Sequence, residues 1–257
     1  MESFYFPFEG HREKKWTNFT LIMPVISVGN VGQLAVDLLL ENLHFTCVGR
    51  IHSSTILPLV GLDPFLENSS DLVTSCQVYE NTQLNLVIIQ QRTPVAMNQR
   101  SLYVKLMANW IKECNFKKVI LLSSKLSQFE SPSDMSTPFF LLSLPEDKNS
   151  IKDDLIQKLN WKYLECKDPE THEVKPDGEL HLPGAGITKL FYEKCFREKI
   201  PIIVLIQNCS EGDNIPDALK VVEQLNEWLK FDSALKRWRM PISWNNLFGN
   251  APPSDIY

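Results

Sequence analysis

The sequence has 257 residues, 44% of them hydrophobic and 22% charged, and its formal net charge at pH 7 is −5. A chain of this length buries roughly three quarters of the surface that its unfolded form exposes, so a sizeable core needs no disulfide bond or metal ion. The negative net charge disfavours general nucleic-acid binding, so we expect no nucleic acid as a partner. No run approaches the roughly 18 apolar residues of a membrane span, so we expect no membrane as a partner either.

Residues 1–16 are predicted to form an irregular lead-in. They are aromatic but lack the basic segment and the long apolar segment of a secretory signal, so we expect a reducing compartment. The six cysteines are then free thiols, and no two of them have the CxxC spacing of a zinc or redox site. Because no HExxH motif or close cluster of metal ligands is present either, we expect no metal ion and no cofactor.

The stretch 19–43 has the pattern of a strand, a glycine turn and a helix. Residues 19–23 form a short apolar strand, and the turn that follows contains Gly29 and Gly32. The helix is predicted from about residue 30 to residue 43, with Asn30 as its N-cap. Such a unit opens many α/β folds.

The apolar residues of this helix cover an arc of roughly 240°, against about 100° for an ordinary surface helix. A sheet covers only one side of such a helix. The other side, formed by Val36, Leu40 and Leu43, is covered either by a second helix of the same chain or by a partner protein. These three residues are therefore candidate partner-binding residues.

The middle of the chain alternates strands with helices. We predict a strand at 45–49, an edge strand or loop at 56–64, an antiparallel hairpin at 72–79 and 84–89, a helix at 95–113 and a strand at 117–122. Several of the strands are continuous apolar runs, which is typical of strands buried on both faces. The sequence therefore predicts a three-layer α/β/α sandwich with a mostly parallel central sheet.

The second half of the chain begins with residues 123–150, which have the serine- and proline-rich composition of a loop. The elements predicted after it are a short helix at 151–159, an exposed segment at 165–179, a glycine turn at 182–188, a helix at 189–198, a strand at 200–207, a third turn at 210–216 and a final helix ending at residue 229. No convincing break divides the chain, so residues 1–257 are interpreted as one domain.

The tail, residues 238–257, is rich in apolar side chains but has no helical or strand period, and we expect it to be partly extended. Such a surface must be buried on the domain itself or on a partner. Ile256 and Tyr257, at the end of the tail, either insert into a pocket of a partner or form part of a frayed terminus. The candidate partner-binding residues of the tail are Trp244, Leu247, Phe248, Ile256 and Tyr257.

The glycine turns also suggest a catalytic alternative, because ligands of open α/β sheets bind at the carboxyl ends of strands. The sequence around Gly184 and Gly186 lacks the third glycine of the dinucleotide-binding motif. Ser27 has half of a nucleophile elbow, but Val25 stands where that motif needs glycine, so we interpret Ser27 as a turn or cap hydroxyl. The alternative function is a nucleoside- or ester-cleaving enzyme with a cleft near Ser27 and Gly184.

Five stretches of the chain resemble the proteasome assembly chaperone 2 family. They are LIMPVISVGNVGQLA at 21–35, PGAGITK at 183–189, SEGDNIPDAL at 210–219, PISW at 241–244 and LFG at 247–249. The resemblance covers nearly the whole chain. It implies a non-enzymatic α/β/α fold that is similar in outline to nucleoside phosphorylases.

The resemblance further implies a function in binding. It implies a heterodimer with proteasome assembly chaperone 1 that binds α-subunits of the 20S proteasome, promotes α-ring assembly and prevents off-pathway ring dimerisation. A location in both cytoplasm and nucleus is implied as well. The proteasome-docking signature of activators and some chaperones is hydrophobic-Tyr-X, whereas here Ile256 and Tyr257 have no residue after the tyrosine. Whether this tail docks into an α-subunit pocket therefore stays open. The alternative is that the partner chaperone provides the docking tail.

Overall fold

The computed structural model describes residues 4–11, 15–67, 69–129, 138–143, 154–165, 180–232, 235 and 237–246. The strands are β1 (Tyr5–Pro7), β2 (Thr20–Pro24), β3 (Thr46–Ile51), β4 (Val60–Leu62), β5 (Leu72–Thr74), β6 (Cys76–Asn81), β7 (Leu86–Gln91), β8 (Lys118–Leu126), β9 (Phe139–Ser143), β10 (Lys162–Tyr163) and β11 (Ile202–Cys209). The α-helices are α1 (Val31–Asn42), α2 (Arg100–Cys114), α3 (Thr188–Arg197) and α4 (Ile215–Leu229). Short 3-10 turns include Val28–Asn30 and Ile242–Asn246.

In the described part of the chain, nine strands form one sheet in the order β1-β3-β6-β7-β2-β8-β11-β9-β10. The four central strands, β7, β2, β8 and β11, are parallel to one another, and antiparallel pairs flank them on both sides. Both neighbours of β8 are in register with it, because Leu21 and Ile202 lie opposite Val119. The predicted α/β fold with parallel strands at its centre is confirmed, and the sheet as a whole is mixed.

Helices cover both faces of this sheet. On one face, Met107 of α2 and Phe191 of α3 share a hydrophobic core with Leu21. On the other face, α1 and α4 pack against each other and share a second core with Ile22 and Ile120. Because successive residues of a strand point to opposite faces, the continuous apolar runs of β2 and β8 supply both cores. The predicted three layers are therefore present.

The side of α1 formed by Val36, Leu40 and Leu43 is mostly buried within the chain itself. Val36 is completely buried, Leu43 is 6% exposed, and Leu40 is half-buried against the same core. Val36 and Leu43 therefore belong to the core that α1 shares with the sheet and α4. Their contact with a partner stays a prediction, and Leu40 is the member of this group with an accessible side chain.

Two segments that were predicted to be irregular contain strands. Residues 1–16 include β1, which pairs antiparallel with β3. Residues 123–150 include the end of β8 and all of β9, and β9 pairs antiparallel with β11. The loop prediction was wrong for β9 because its partner strand lies some 60 residues away, whereas the serine- and proline-rich residues before it dominate the local composition.

Two further segments differ from their predicted elements. The helix predicted at 151–159 is a single π-helical turn, Asp154–Lys158, in the residues that the structure describes. The strand predicted at 72–79 is two strands separated at Ser75: β6 pairs with β7 as predicted, whereas β5 pairs with β4 in a separate two-stranded sheet. The exposed segment predicted at 165–179 lies outside the described residues except for Glu165.

Candidate functional site

The three glycine turns meet at one edge of the sheet. The Val28 N–H donates a 2.8 Å hydrogen bond to the carbonyl of Gly184, and the Leu126 N–H at the end of β8 donates a 2.9 Å bond to the carbonyl of Pro183. The Cys209 thiol, at the end of β11, donates to the carbonyl of Val28 at 3.3 Å. Ligands of open α/β sheets usually bind at such an edge, so this is the candidate site for chemistry.

The protein itself fills the space beside two of these glycines. Gly186 has a φ of +59°, and a Cβ atom there would overlap the carbonyl oxygen of Ile26. Gly29 has a φ of +69°, and its Cβ would approach the Asn214 side-chain amide to 2.7 Å. Backbone conformation and close packing therefore explain both glycines, and no bound phosphate is needed to account for them.

The Ser27 hydroxyl is held by structural hydrogen bonds. Ser27 Oγ accepts the Ser124 N–H at 3.0 Å and lies 2.7 Å from Ser124 Oγ, which in turn donates to the Val28 carbonyl at 2.5 Å. The carbonyl of Val25 lies 3.2 Å from Ser27 Oγ. The hydrogen-bond partners of Ser27 Oγ in the described part of the chain are a serine and backbone groups, and none of these can act as its general base.

We expect Ser27→Ala to lower the free energy of unfolding by about 1–2 kcal/mol, because it leaves the Ser124 N–H without its buried acceptor. A fluorophosphonate probe, which labels activated serines, is expected to leave wild type and variant equally unlabelled. Ser127→Ala is the matched control for stability, because its hydroxyl bonds to Ser210 at an exposed position. Labelling of the wild type that disappears in Ser27→Ala would restore the nucleophile interpretation.

Polar side chains at the carboxyl ends of β8 and β11 form the rest of this edge. Ser123 Oγ lies 2.6 Å from Thr188 Oγ1 and so joins β8 to α3. Lys125 is 1% exposed, and its Nζ lies 4.0 Å from the centre of the Phe139 ring. These residues were not predicted as a cluster, although polar residues directly after the apolar run 119–122 are a signal for one. Among the described residues, these contacts pack strands and helices together.

The thiols of this region are protonated at neutral pH. Burial raises the pKa of Cys209 to about 11 and that of Cys195 to about 12. A nucleophilic cysteine needs a lowered pKa, so neither thiol is poised for catalysis. His181, which lies beside the second glycine turn, is exposed and does not contact Ser27 in the described part of the chain.

The cavities at this edge are small. One, of about 140 Å³, is lined by residues that include Val25, Tyr103 and Gly186, and the other, of about 240 Å³, is lined by residues that include Ser127 and Cys209. Both volumes lie below the roughly 300–1,000 Å³ that is typical of pockets for drug-sized ligands. These two cavities therefore offer little space for a substrate among the described residues.

The predicted residues of the tail divide into two groups. Trp244 is buried in the same core as residues of α1 and α4. Leu247, Phe248, Ile256 and Tyr257 lie outside the described residues, so their predicted contact with a partner stays a prediction.

The described residues contain no group of three or more histidine, cysteine, aspartate and glutamate side chains that could hold a metal ion. None of the helices in the same part of the chain has the length and apolar character needed to span a membrane.

Known proteins resemble this chain over most of its length. Residues 21–237 match the model of the PAC2 family. Proteasome assembly chaperone 2 of Bos taurus is 38% identical over 252 residues, which cover 93% of this chain and 94% of the relative. Proteasome assembly chaperone 2 of Xenopus tropicalis is 35% identical over 250 residues, which cover 94% of this chain and 95% of the relative.

A solved structure shares the fold. The crystal structure of Pyrococcus furiosus PbaA, an archaeal homolog of proteasome-assembly chaperone, matches with a TM-score of 0.64 at 18% sequence identity and covers 90% of this chain and 88% of that chain. At this identity the likeness concerns the fold alone. The family model and the two relatives, by contrast, match the sequence itself across the sheet, its helices and the glycine turns. This chain belongs to the PAC2 family.

Proposed function

We propose that this protein is a proteasome assembly chaperone that acts by binding alone. The observation that carries the proposal is the alignment, over 93–94% of the chain at 35–38% identity, with relatives named proteasome assembly chaperone 2. The structural hydrogen bonds of Ser27 and the small cavities at the glycine turns support a role without catalysis. No observation favours the nucleoside- or ester-cleaving alternative.

The proposed partners are proteasome assembly chaperone 1, with which the protein forms a heterodimer, and α-subunits of the 20S proteasome. The pair binds α-subunits and so brings them together, which promotes assembly of the α-ring. A ring surface that the pair covers is not available to a second ring, so the same binding prevents off-pathway ring dimerisation. We place this activity in the cytoplasm and the nucleus.

Co-expression tests the proposal directly. The tagged chain is produced with proteasome assembly chaperone 1 and with α-subunits, and the purified material is separated by size exclusion. We expect a 1:1 heterodimer and a larger species that contains α-subunits. A chain that stays monomeric and retains no α-subunits overturns the proposal.

We expect deletion of Ile256 and Tyr257 to weaken α-ring binding by about tenfold while the heterodimer stays intact. The reason is that the apolar and tyrosine side chains of this pair fit a pocket of an α-subunit, and their loss removes that contact. The measurement is α-ring affinity by surface plasmon resonance, with the wild-type heterodimer as the control. An unchanged affinity would show that the tail does not dock.

A further inference from the structure

The described part of the tail, residues 238–246, lies against the domain and is called the strap below. Three of its side chains are buried at a spacing of three residues, namely Trp238, Pro241 and Trp244. Between them, Met240 is 50% exposed and Ile242 is 37% exposed. Trp238 and Trp244 belong to the core that α1 shares with the sheet and α4. The strap is therefore packed on the domain through one of its sides.

Asn42, the last residue of α1, holds the backbone of the strap. Its Nδ2 donates a 2.8 Å hydrogen bond to the Arg239 carbonyl, and its Oδ1 accepts the Arg239 N–H at 2.8 Å. The same Nδ2 donates to the Leu38 carbonyl of α1 at 2.9 Å, which orients the amide. Burial raises the pKa of the adjacent Glu41, and the nearby positive charge of Arg239 acts in the opposite direction. The end of α1 thus binds a residue that follows almost 200 positions later in the chain.

A second contact fixes the other end of the strap. The Ser243 N–H donates a 3.3 Å hydrogen bond to the carbonyl of Pro64, in the loop between β4 and β5. Within the strap, the Trp244 N–H donates to the Pro241 carbonyl at 3.0 Å, at the start of the 3-10 turn Ile242–Asn246. Because the strap is attached at both ends, the domain sets the position of the backbone at Asn246.

Asn226 makes the same pair of hydrogen bonds elsewhere in the molecule. On α4, its Nδ2 donates to the Asp232 carbonyl and its Oδ1 accepts the Asp232 N–H, both at 3.0 Å. These two residues are only six positions apart, so the pair closes the end of α4 and joins no distant elements. If the strap is released from Asn42, Asp232 therefore stays held at the end of α4.

We propose that Asn42 is a positioning residue for docking of the tail on the proteasome. By holding the strap, it fixes the point from which residues 247–257, which lie outside the described residues, reach an α-subunit. The inference rests on the proposed function, in which Ile256 and Tyr257 enter an α-subunit pocket. It adds the residue that sets the length of the tether between the domain and this pair.

The length of the tether gives the size of the effect. With the strap attached, 11 residues, 247–257, follow Asn246; with the strap released, 25 residues, 233–257, follow Asp232. The effective concentration of a tethered group falls roughly as the −3/2 power of the tether length, so release lowers it about threefold. Eleven extended residues span at most about 36–40 Å, so in the proposed complex the pocket lies within that distance of Asn246.

The test compares Asn42→Ala with wild type, each purified as the heterodimer with proteasome assembly chaperone 1. Hydrogen exchange of the strap, measured by mass spectrometry, is expected to be faster by on the order of tenfold in the variant, because Arg239 loses both hydrogen bonds. The affinity for α-rings, measured by surface plasmon resonance, is expected to fall about threefold. Asn226→Ala is the matched control, since it removes the same pair of bonds from Asp232; strap exchange and α-ring affinity are expected to stay at wild-type values.

A second variant tests the tether without changing the strap. A Gly/Ser insertion after Asn246 that lengthens the tether from 11 to 25 residues is expected to weaken α-ring binding by the same factor of about three. Wild-type α-ring affinity of this insertion variant overturns the inference, whether or not Asn42→Ala folds. Folded Asn42→Ala with wild-type strap exchange, or with faster exchange and wild-type α-ring affinity, overturns it as well.

Deletion of Ile256 and Tyr257 separates positioning from a purely structural role of Asn42. In the shortened chain, Asn42→Ala is expected to leave the remaining α-ring affinity unchanged. An equal loss in the intact and shortened chains overturns the inference, because Asn42 then acts without the tail. A deletion that itself leaves α-ring affinity unchanged also overturns it, while the intact heterodimer and its α-ring binding support the proposed function. A wild-type chain that binds neither partner contradicts the proposed function, and the inference falls with it.

Discussion

Replacement of Gly186 by valine is expected to destabilise the protein by about 3–5 kcal/mol, enough to leave much of it unfolded at 37 °C. The φ of this residue is +59°, which a β-branched side chain rarely adopts, and its Cβ would overlap the carbonyl oxygen of Ile26 in the neighbouring turn. The measurement is urea denaturation followed by circular dichroism. Gly29→Val is expected to cost less, because the atoms that its Cβ meets belong to the Asn214 side chain, which can move.

Gly61→Val is the control for this prediction. A Cβ atom at Gly61 meets nothing within 4 Å, and valine is favoured in a strand such as β4. Its stability is expected to stay within about 1 kcal/mol of wild type. A well-folded Gly186→Val protein that has lost partner binding would contradict the scaffold role of the turn and indicate a direct functional role.

Replacement of Arg92 by methionine is expected to destabilise the protein by about 3 kcal/mol. Asp37 on α1 is buried, and its carboxylate accepts hydrogen bonds from Arg92 at 3.1 and 3.4 Å and from Gln90 Nε2 at 2.6 Å. Without Arg92, a buried carboxylate keeps only the neutral Gln90 amide, and its charge is left uncompensated. The measurement is again urea denaturation at pH 7.

The double variant Asp37→Leu/Arg92→Met separates the two contributions to this effect. Replacing both members of a buried ion pair by apolar side chains is often close to neutral, so the double variant is expected to recover most of the lost stability. A double variant that is as unstable as Arg92→Met alone would show that Arg92 contributes through packing, for example through its position over the Phe65 ring at 5.9 Å.

The sequence predicted the centre of the fold better than its edges. Strands such as β2 and β8 are continuous apolar runs between helices, and burial on both faces leaves that pattern in the sequence itself. β1 and β9 are short and depend on pairing with strands far away in the chain, so their local composition was misleading. The position of α1 was predicted correctly, but only the structure shows that Val36 and Leu43 are buried in the chain's own core.

The interruption of the strand predicted at 72–79 was missed for a related reason. The alternation of residues 72–79 was interpreted as one strand, which places Leu72, Cys76 and Val78 on the same face. In the structure the strand is interrupted at Ser75: Leu72 points to solvent, whereas Cys76 and Val78 are buried. The short strand β5 pairs with β4 rather than with β3 or β7. This pairing depends on tertiary packing that periodicity alone does not encode.

Native mass spectrometry of α-rings assembled from purified α-subunits tests the central claim most directly. Rings are formed in the presence of this chain together with proteasome assembly chaperone 1, with either protein alone, and with neither. A chaperone that acts by binding alone is expected to yield more single rings, each carrying the heterodimer, and fewer ring dimers, with no chemical change in any subunit. Equal yields of single rings and ring dimers in all four samples, with no chaperone bound, would contradict the account.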